Sequence, residues 1–333
     1  MTLLEVKDLH LSFQSHGTKI AALRGVSLVL KTHEKLGIVG ESGSGKSALV
    51  KALLQLHPPD ITRIEQGAIW YKGINITYLP DKEMQKIRGK EIGMIFQDPM
   101  SSLNPTLTVG FQIAEGFLRH NPKATKKEGQ EKALELLEAV GISDPVMRLA
   151  SYPHTLSGGI RQRVMIAIAL AASPALLIAD ESTTALDVTV QAQILDLMQK
   201  LQKDKSTIFI THDLSVAAGF CDRIIVMYAG QIVEDATAEE LFSNPQHPYT
   251  KRLLQSIPKL DDNHEPLVPI PGCPPNLSRP ILGCSFCPRC PDAMNICAKK
   301  SPPLFSPKEG HFSACWKHDM PVEDKEEAAT CVP

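Results

Sequence analysis

The run Gly40-Glu41-Ser42-Gly43-Ser44-Gly45-Lys46-Ser47 carries the residue types needed to hold a chain of phosphates. Its glycines let the backbone curl so that successive N–H groups face inward, and a helix starting at the end of the loop adds the positive end of its dipole. In a G-x-x-x-x-G-K-[ST] loop, Lys46 reaches the β- and γ-phosphates and the Ser47 hydroxyl ligates Mg²⁺. The pattern is informative only between a strand and a helix. Here the apolar run Leu36-Gly37-Ile38-Val39 precedes it and a helix-like segment from Ala48 to Leu56 follows. A nucleoside triphosphate is the ligand this implies.

Two further stretches could complete such a site. Ala175-Leu176-Leu177-Ile178-Ala179-Asp180-Glu181 reads as a strand buried on both faces that surfaces with two carboxylates. Asp180 would sit beside the Mg²⁺, and Glu181 would take a proton from an attacking water or orient it in line. On its own the run is equally a core strand that ends in two acids; beside a phosphate loop it reads as chemistry. Ser157-Gly158-Gly159 opens a second helix-like run, Val164 to Ala172, and makes another anion cradle. One nucleotide cannot easily use both cradles of one chain, so the second is expected to close over the nucleotide of a partner subunit.

The elements that must position these residues fit a chain of 333 residues with 43% hydrophobic content, enough for a substantial core. A formal net charge of -2 gives no basic footprint, so nucleic acid is not an expected partner. No transmembrane run is present, and Met1-Thr2-Leu3-Leu4-Glu5 lacks the features of a secretory signal, so a cytoplasmic, peripheral location is expected. Of eight cysteines only Cys221 precedes residue 270. From about Pro258 prolines become dense and apolar periodicity fades, which places a boundary near Leu260: residues 1–260 would form the nucleotide-binding domain and 261–333 a Pro- and Cys-rich extension.

Taken together, the loop Gly40–Ser47, Leu156-Ser157-Gly158-Gly159 and Leu177-Ile178-Ala179-Asp180-Glu181 resemble the ATPase subunits of ABC transporters. The resemblance implies an α/β fold: a P-loop NTPase with a RecA-like core, an N-terminal antiparallel β layer, a helical insertion at about 98–157 and a small C-terminal extension. It further implies that Gln97, in Ile95-Phe96-Gln97-Asp98-Pro99, contacts Mg²⁺ or the water and links to the membrane subunits. Asp187 in Ala185-Leu186-Asp187 would cross the dimer interface, His212 after Thr207-Ile208-Phe209-Ile210-Thr211 would sense the γ-phosphate, and Phe13 would stack on adenine. Gly40, Ser42, Gly43, Gly45, Lys46, Ser47, Gln97 and Asp180 would then hold ATP and Mg²⁺, and Ser157, Gly158 and Gly159 would complete the partner's site. Glu181, Gln97 and His212 form the implied catalytic set, and Ser47, Gln97 and Asp180 the Mg²⁺ ligands. Each has a bland alternative alone: Gln97 or Asp187 as helix caps, His212 as a satisfied histidine, Phe13 as core. Ser182 departs from the family, which usually has Pro after the catalytic Glu; its absence loosens that turn but leaves both acids in place.

The tail narrows the branch. Asn244-Pro245-Gln246-His247-Pro248-Tyr249-Thr250-Lys251-Arg252-Leu253-Leu254 and Ile270-Pro271-Gly272-Cys273-Pro274-Pro275-Asn276-Leu277 look like the tail of oligopeptide and dipeptide permease ATPases. That resemblance implies a peptide importer at the cytoplasmic face of the inner membrane. Its partners would be a second, non-identical ATPase subunit, two membrane permease subunits and an extracytoplasmic binding protein. Gln97 and the insertion would receive the coupling helices of the membrane subunits, and Ala133, Leu136, Leu137 and Val140 space an amphipathic helix there. Import of nickel or another small solute, an exporter ATPase, and a soluble ATP-dependent clamp are the rival readings.

Cys284, Cys290, Cys297 and Cys315 follow C-x5-C-x6-C-x17-C and resemble the set that several such ATPases use for a [4Fe–4S] cluster. Thiolates suit Zn²⁺ equally, and unligated cysteines are a third reading. Cys287 is extra to the family pattern and makes Cys284-Ser285-Phe286-Cys287-Pro288-Arg289-Cys290-Pro291 partly ferredoxin-like; the set above leaves it a spare thiol. Such a cluster should be structural and lie away from the ATP site.

Overall fold

The computed structural model describes residues 1–15, 17–181, 188–257 and 269–319. Ser182, Asp187, the boundary expected near Leu260 and Cys331 lie outside the described residues. The chain divides into two compact units, one gathering Met1–Leu30, Leu36–Thr77 and the chain from Thr211 onward, the other Lys31–Lys35 and Tyr78–Ile210.

The first unit opens with an antiparallel sheet in the order Thr18–Lys31, Thr2–Ser15, Thr62–Tyr71, Ile74–Asn75. Leu4 and Val6 face the core, then Leu9 and Leu11 do, so the alternation loses step once. The register shifts between Lys7 and His10, where a bulge lets both halves of the strand bury their apolar side. In the same unit Lys35–Val39 lies parallel to Arg223–Tyr228, which continues antiparallel into Gln231–Thr237, His311–Ser313 and Phe305–Lys308. Leu36, Ile38 and Val39 and all of Ile224–Met227 are fully buried, as expected of strands covered on both faces. The last two strands come from the C-terminal extension. Residues 269–319 therefore share a compact unit, and a sheet, with the phosphate-loop strand.

The second unit has three parallel strands, Ile92–Ile95, Leu176–Asp180 and Ser206–Thr211, with Ile178 between Met94 and Ile208. Leu176–Asp180 is buried along its whole length. Its helices include Val109–His120, capped by Thr108, and Lys126–Ala139, started by a capping box of Thr125 and Glu128. The spaced residues Ala133, Leu136, Leu137 and Val140 are all buried, as the amphipathic pattern predicts. Among the described residues no helix is long and apolar enough to cross a membrane.

Candidate functional site

Within the first unit, strand Lys35–Val39 runs into the loop and the loop into helix Lys46–Leu53. This helix is shorter than the sequence suggests at its C-terminal end, because Gln55 turns left-handed just beyond its cap. The loop is pressed against other backbone. A Cβ on Gly40 would stand 2.2 Å from the Met227 carbonyl oxygen, and one on Gly45, whose φ is +103°, would stand 2.8 Å from that of Ala22. No side chain fits at either place. Lys46 is 4% exposed, and its Nζ donates to the carbonyls of Gly40 (2.7 Å) and Glu41 (3.0 Å), so the ammonium already spans the loop.

Phe13 is half-buried and meets the His57 ring edge-on at 5.0 Å. His57 Nε2 donates to the Ala48 carbonyl at 2.8 Å, which ties this aromatic pair to the first turn of the loop's helix. Burial holds the His57 imidazole below its usual pKa, so the ring is neutral. His212 is exposed directly after Thr211, and Asp213 caps the following helix Leu214–Phe220 by accepting from the Ser215 and Val216 N–H groups.

Within the second unit, Asp180 is 2% exposed at the end of its strand. Glu181 follows with φ +45°, a left-handed conformation that is costly for a residue bearing a Cβ. Its N–H donates to the Ile210 carbonyl at 3.0 Å, and its carboxylate accepts a 2.7 Å hydrogen bond from Gln97 Nε2. The structure thus joins two residues that are 84 positions apart in the chain. With its amide nitrogen committed to Glu181, Gln97 keeps its carbonyl oxygen as a donor atom for a metal. Within this unit Gln97 and Asp180 carry carboxamide and carboxylate oxygens, the hard donor types that Mg²⁺ takes.

Ser157 caps helix Gly158–Leu170, yet its hydroxyl makes no cap bond to that helix. Ser157 and Gly158 are exposed, and a Cβ on Gly158 would meet nothing within 4 Å. The helix start is open ground for an anion from outside. In the same unit a cavity of about 690 Å³ is lined by Phe111, Ala114, Leu118 and Leu149, with Glu115 and Arg119 among its polar residues. Phe111 is 53% exposed there.

The family pattern described as ABC transporter matches residues 23–184, and that described as Oligopeptide/dipeptide transporter, C-terminal region, matches residues 233–297. The Bacillus subtilis oligopeptide transport ATP-binding protein OppD is 53% identical over 94% of this chain and 88% of its own length. The chain belongs to the ABC transporter family. Within that family, the B. subtilis dipeptide transport ATP-binding protein DppD is 49% identical over 96% of each chain, and the Escherichia coli OppD is 48% identical over 97% of this chain and 94% of its own. Among solved structures, the ATP-binding cassette MJ0796, as a post-hydrolysis dimer bound to ADP and Pi, has 31% identity and a TM-score of 0.64 over 71% of this chain and 98% of its own. A Clostridium perfringens cassette, cbiO1, follows at 27% identity and TM-score 0.61, over 73% of this chain and 91% of its own. The expected ABC ATPase fold is borne out.

The cysteines of this ABC ATPase come together, with one exception to the expectation. Cys284, Cys290, Cys297 and Cys315 line one narrow cavity of about 10 Å³, walled by Phe286, Met294 and Trp316. Burial pushes the Cys284 thiol up to about 11 and the Cys290 thiol up to about 12, and neighbouring thiols add to the shift. Among the described residues no group of three or more His, Cys, Asp or Glu side chains is arranged to hold a metal ion, which supports neither the expected cluster nor the Zn²⁺ alternative. Cys287 is disulfide-bonded and so is not the spare thiol expected.

Sequence reasoning missed Glu41, Tyr249 and Arg289. The N–H of Glu41 donates to Tyr249 Oη at 2.9 Å, and its carboxylate takes both ends of the Arg289 guanidinium at 2.7 and 3.0 Å. Nothing in the local pattern of either segment signals a pair separated by 248 positions. Arg289 sits between Cys287 and Cys290, so the cysteine-bearing segment reaches the phosphate loop through this side chain.

Proposed function

We propose that this chain is the ATP-hydrolysing subunit of a peptide importer, acting on the cytoplasmic face of the membrane and paired with a second, non-identical ATPase subunit. The observation that carries the reading is the co-occurrence of a complete phosphate loop and the Gln97–Glu181 pair with a C-terminal region of the oligopeptide/dipeptide type. The relatives reported above are named for oligopeptide and dipeptide transport, not for nickel import or a soluble clamp, and those rivals are not favoured.

In this reading Lys46 and the Gly40, Ser42, Gly43 and Gly45 backbone hold the phosphates, and Phe13 packs on the base. Ser47, Asp180 and the Gln97 carbonyl hold Mg²⁺, which when bound offsets charge on the β- and γ-phosphate oxygens. Glu181 takes a proton from the attacking water, with its carboxylate aimed by the Gln97 amide. His212 reads the γ-phosphate, and the open helix start at Ser157, Gly158 and Gly159 covers the partner's nucleotide. The apolar cavity beside Phe111 receives a coupling helix from one of two permease subunits, and a binding protein delivers peptide on the far side. The assembled complex in vesicles should hydrolyse ATP faster when peptide-loaded binding protein is added. Stimulation by nickel instead, or no response to any peptide, would overturn the assignment.

We also infer that Cys284, Cys290, Cys297 and Cys315 hold a [4Fe–4S] cluster that ties the extension together. Supporting it are the cavity that the four cysteines share and its apolar wall of Phe286, Met294 and Trp316. Iron and sulfide analysis after anaerobic purification tests the reading; stoichiometric zinc without iron, or no metal, would sink it.

A further inference from the structure

Glu41 is the second residue of the phosphate loop, and all three of its polar groups are occupied. Its carbonyl accepts from Lys46 Nζ, its N–H donates to Tyr249 Oη, and its carboxylate is gripped by both ends of Arg289. The first contact belongs to the loop itself. The other two come from residues more than 200 positions downstream. Arg289 is held as firmly as it holds: its side chain is 5% exposed, Nε donates to the Pro271 carbonyl at 2.9 Å and Nη2 to that of Ile270 at 3.3 Å. Nη1 also donates to Tyr228 Oη at 3.2 Å. Tyr228, Tyr249 and Phe286 pack ring on ring at 4.6 to 5.3 Å behind these contacts.

The charge on Glu41 makes this arrangement consequential. A carboxylate in a loop built to receive a triphosphate repels that ligand, and its side chain is 27% exposed, so water screens it only in part. A fork-to-fork guanidinium both neutralises the charge and fixes the loop's direction, which a lysine as a point charge cannot do.

We propose that Arg289 and Tyr249 are positioning residues for the phosphate loop, so that nucleotide affinity in this ATPase is set in cis by a strut from its cysteine-bearing C-terminal segment. The proposal rests on the assignment of Gly40–Ser47 as the phosphate-holding loop. Arg289→Ala then leaves an unpaired anion in the loop and weakens binding of a fluorescent N-methylanthraniloyl ATP by roughly tenfold or more, the range of a lost charged hydrogen bond. Tyr249→Phe, which keeps the ring packing, weakens it by about threefold. Because the damage acts through Glu41, adding Glu41→Ala to Arg289→Ala restores affinity to within about threefold of wild type, whereas a merely structural Arg289 gives no such rescue.

The measurements use the full-length chain, with thermal unfolding followed alongside. Should Arg289→Ala fail to fold, Arg289→Lys replaces it, with an intermediate loss of affinity at near wild-type melting temperature as the expected result. Lys46→Ala separates the two levels of the argument: nucleotide binding that survives it refutes the loop assignment. Loss of binding in Lys46→Ala together with unchanged affinity in Arg289→Ala or Arg289→Lys overturns the strut alone. So does a loss of affinity that Glu41→Ala does not relieve.

Discussion

Replacing Glu181 by Gln tests the chemistry with the least disturbance of its surroundings. The exchange is isosteric, so the side chain still fits beside Gln97, and its amide oxygen can still accept the Gln97 Nε2 hydrogen bond now seen at 2.7 Å. The backbone is no more strained than before, because φ +45° is already occupied by a residue with a Cβ. What is lost is the ability to take a proton from water. General-base catalysis of this type is worth roughly 10²–10⁴-fold in rate, which corresponds to about 3–5 kcal/mol in the barrier. Nucleotide affinity should stay within a few-fold of wild type, since no phosphate-holding residue has changed. The assay is phosphate release by the assembled complex under single-turnover conditions, beside equilibrium binding of nucleotide. Glu181→Gln turning over within about threefold of wild type would remove Glu181 from the base role, for a loss that small falls far below the general-base range. A companion change, Gln97→Ala, removes both the group that aims the carboxylate and an oxygen assigned to Mg²⁺, so turnover should slow by at least roughly tenfold, about the worth of one charge-assisted hydrogen bond, and Mg²⁺-dependent nucleotide binding should weaken beside it.

Three further outcomes follow from the geometry. Gly45→Ala places a Cβ 2.8 Å from the Ala22 carbonyl oxygen at φ +103°, so nucleotide titration should show at least a roughly tenfold loss of affinity; unchanged affinity would mean the loop tolerates a different path. Ser157→Arg alters an exposed helix start, so the isolated chain should keep its melting temperature and ATP affinity while the complex loses turnover; full activity of the complex would refute closure over a partner's nucleotide. Burial depresses the His57 pKa below 6.5, so the unfolded chain binds the proton more readily than the folded one, and stability is lost as pH falls below that value; urea midpoints at pH 7 and pH 5 should differ by less in His57→Gln than in wild type, and equal differences would sink the assignment.

How much of this was legible in the sequence depended on how local the cause was. The phosphate loop could be read because glycines at 40 and 45 leave a local record of backbone that no side chain can share. The strand Leu176–Asp180 could be read because burial on both faces demands an unbroken apolar run. The helix Lys126–Ala139 announced itself by spacing and by Thr125 and Glu128 at its start. Gln97 and Glu181 were each singled out, but the bond between them was not, since they follow neighbouring parallel strands whose pairing no local pattern encodes. Arg289 was silent altogether, for an arginine between two cysteines reads as ordinary surface charge until the fold brings Glu41 to it.

The motif that marks the branch is made of residues with structural partners inside the chain. Asn244–Leu254 looks like a signature, and in the fold its residues are spent on holding backbone together. Glu234, with no exposed surface, would be costly as a lone buried carboxylate; it accepts instead from the Gln246 N–H at 2.6 Å, the His247 N–H at 2.9 Å and His311 Nε2 at 2.8 Å. One carboxylate thereby joins the motif to a strand that the extension adds to the sheet. His247 caps the helix on which Tyr249 rides, and Tyr249 ends on the phosphate loop. Through Gln246, His247 and Tyr249 the tail thus links the strand added by the extension to the nucleotide loop. On the proposed strut the extension tunes how the loop is held, because the same tail that adds a strand to the sheet also carries Tyr249 and Arg289 to Glu41.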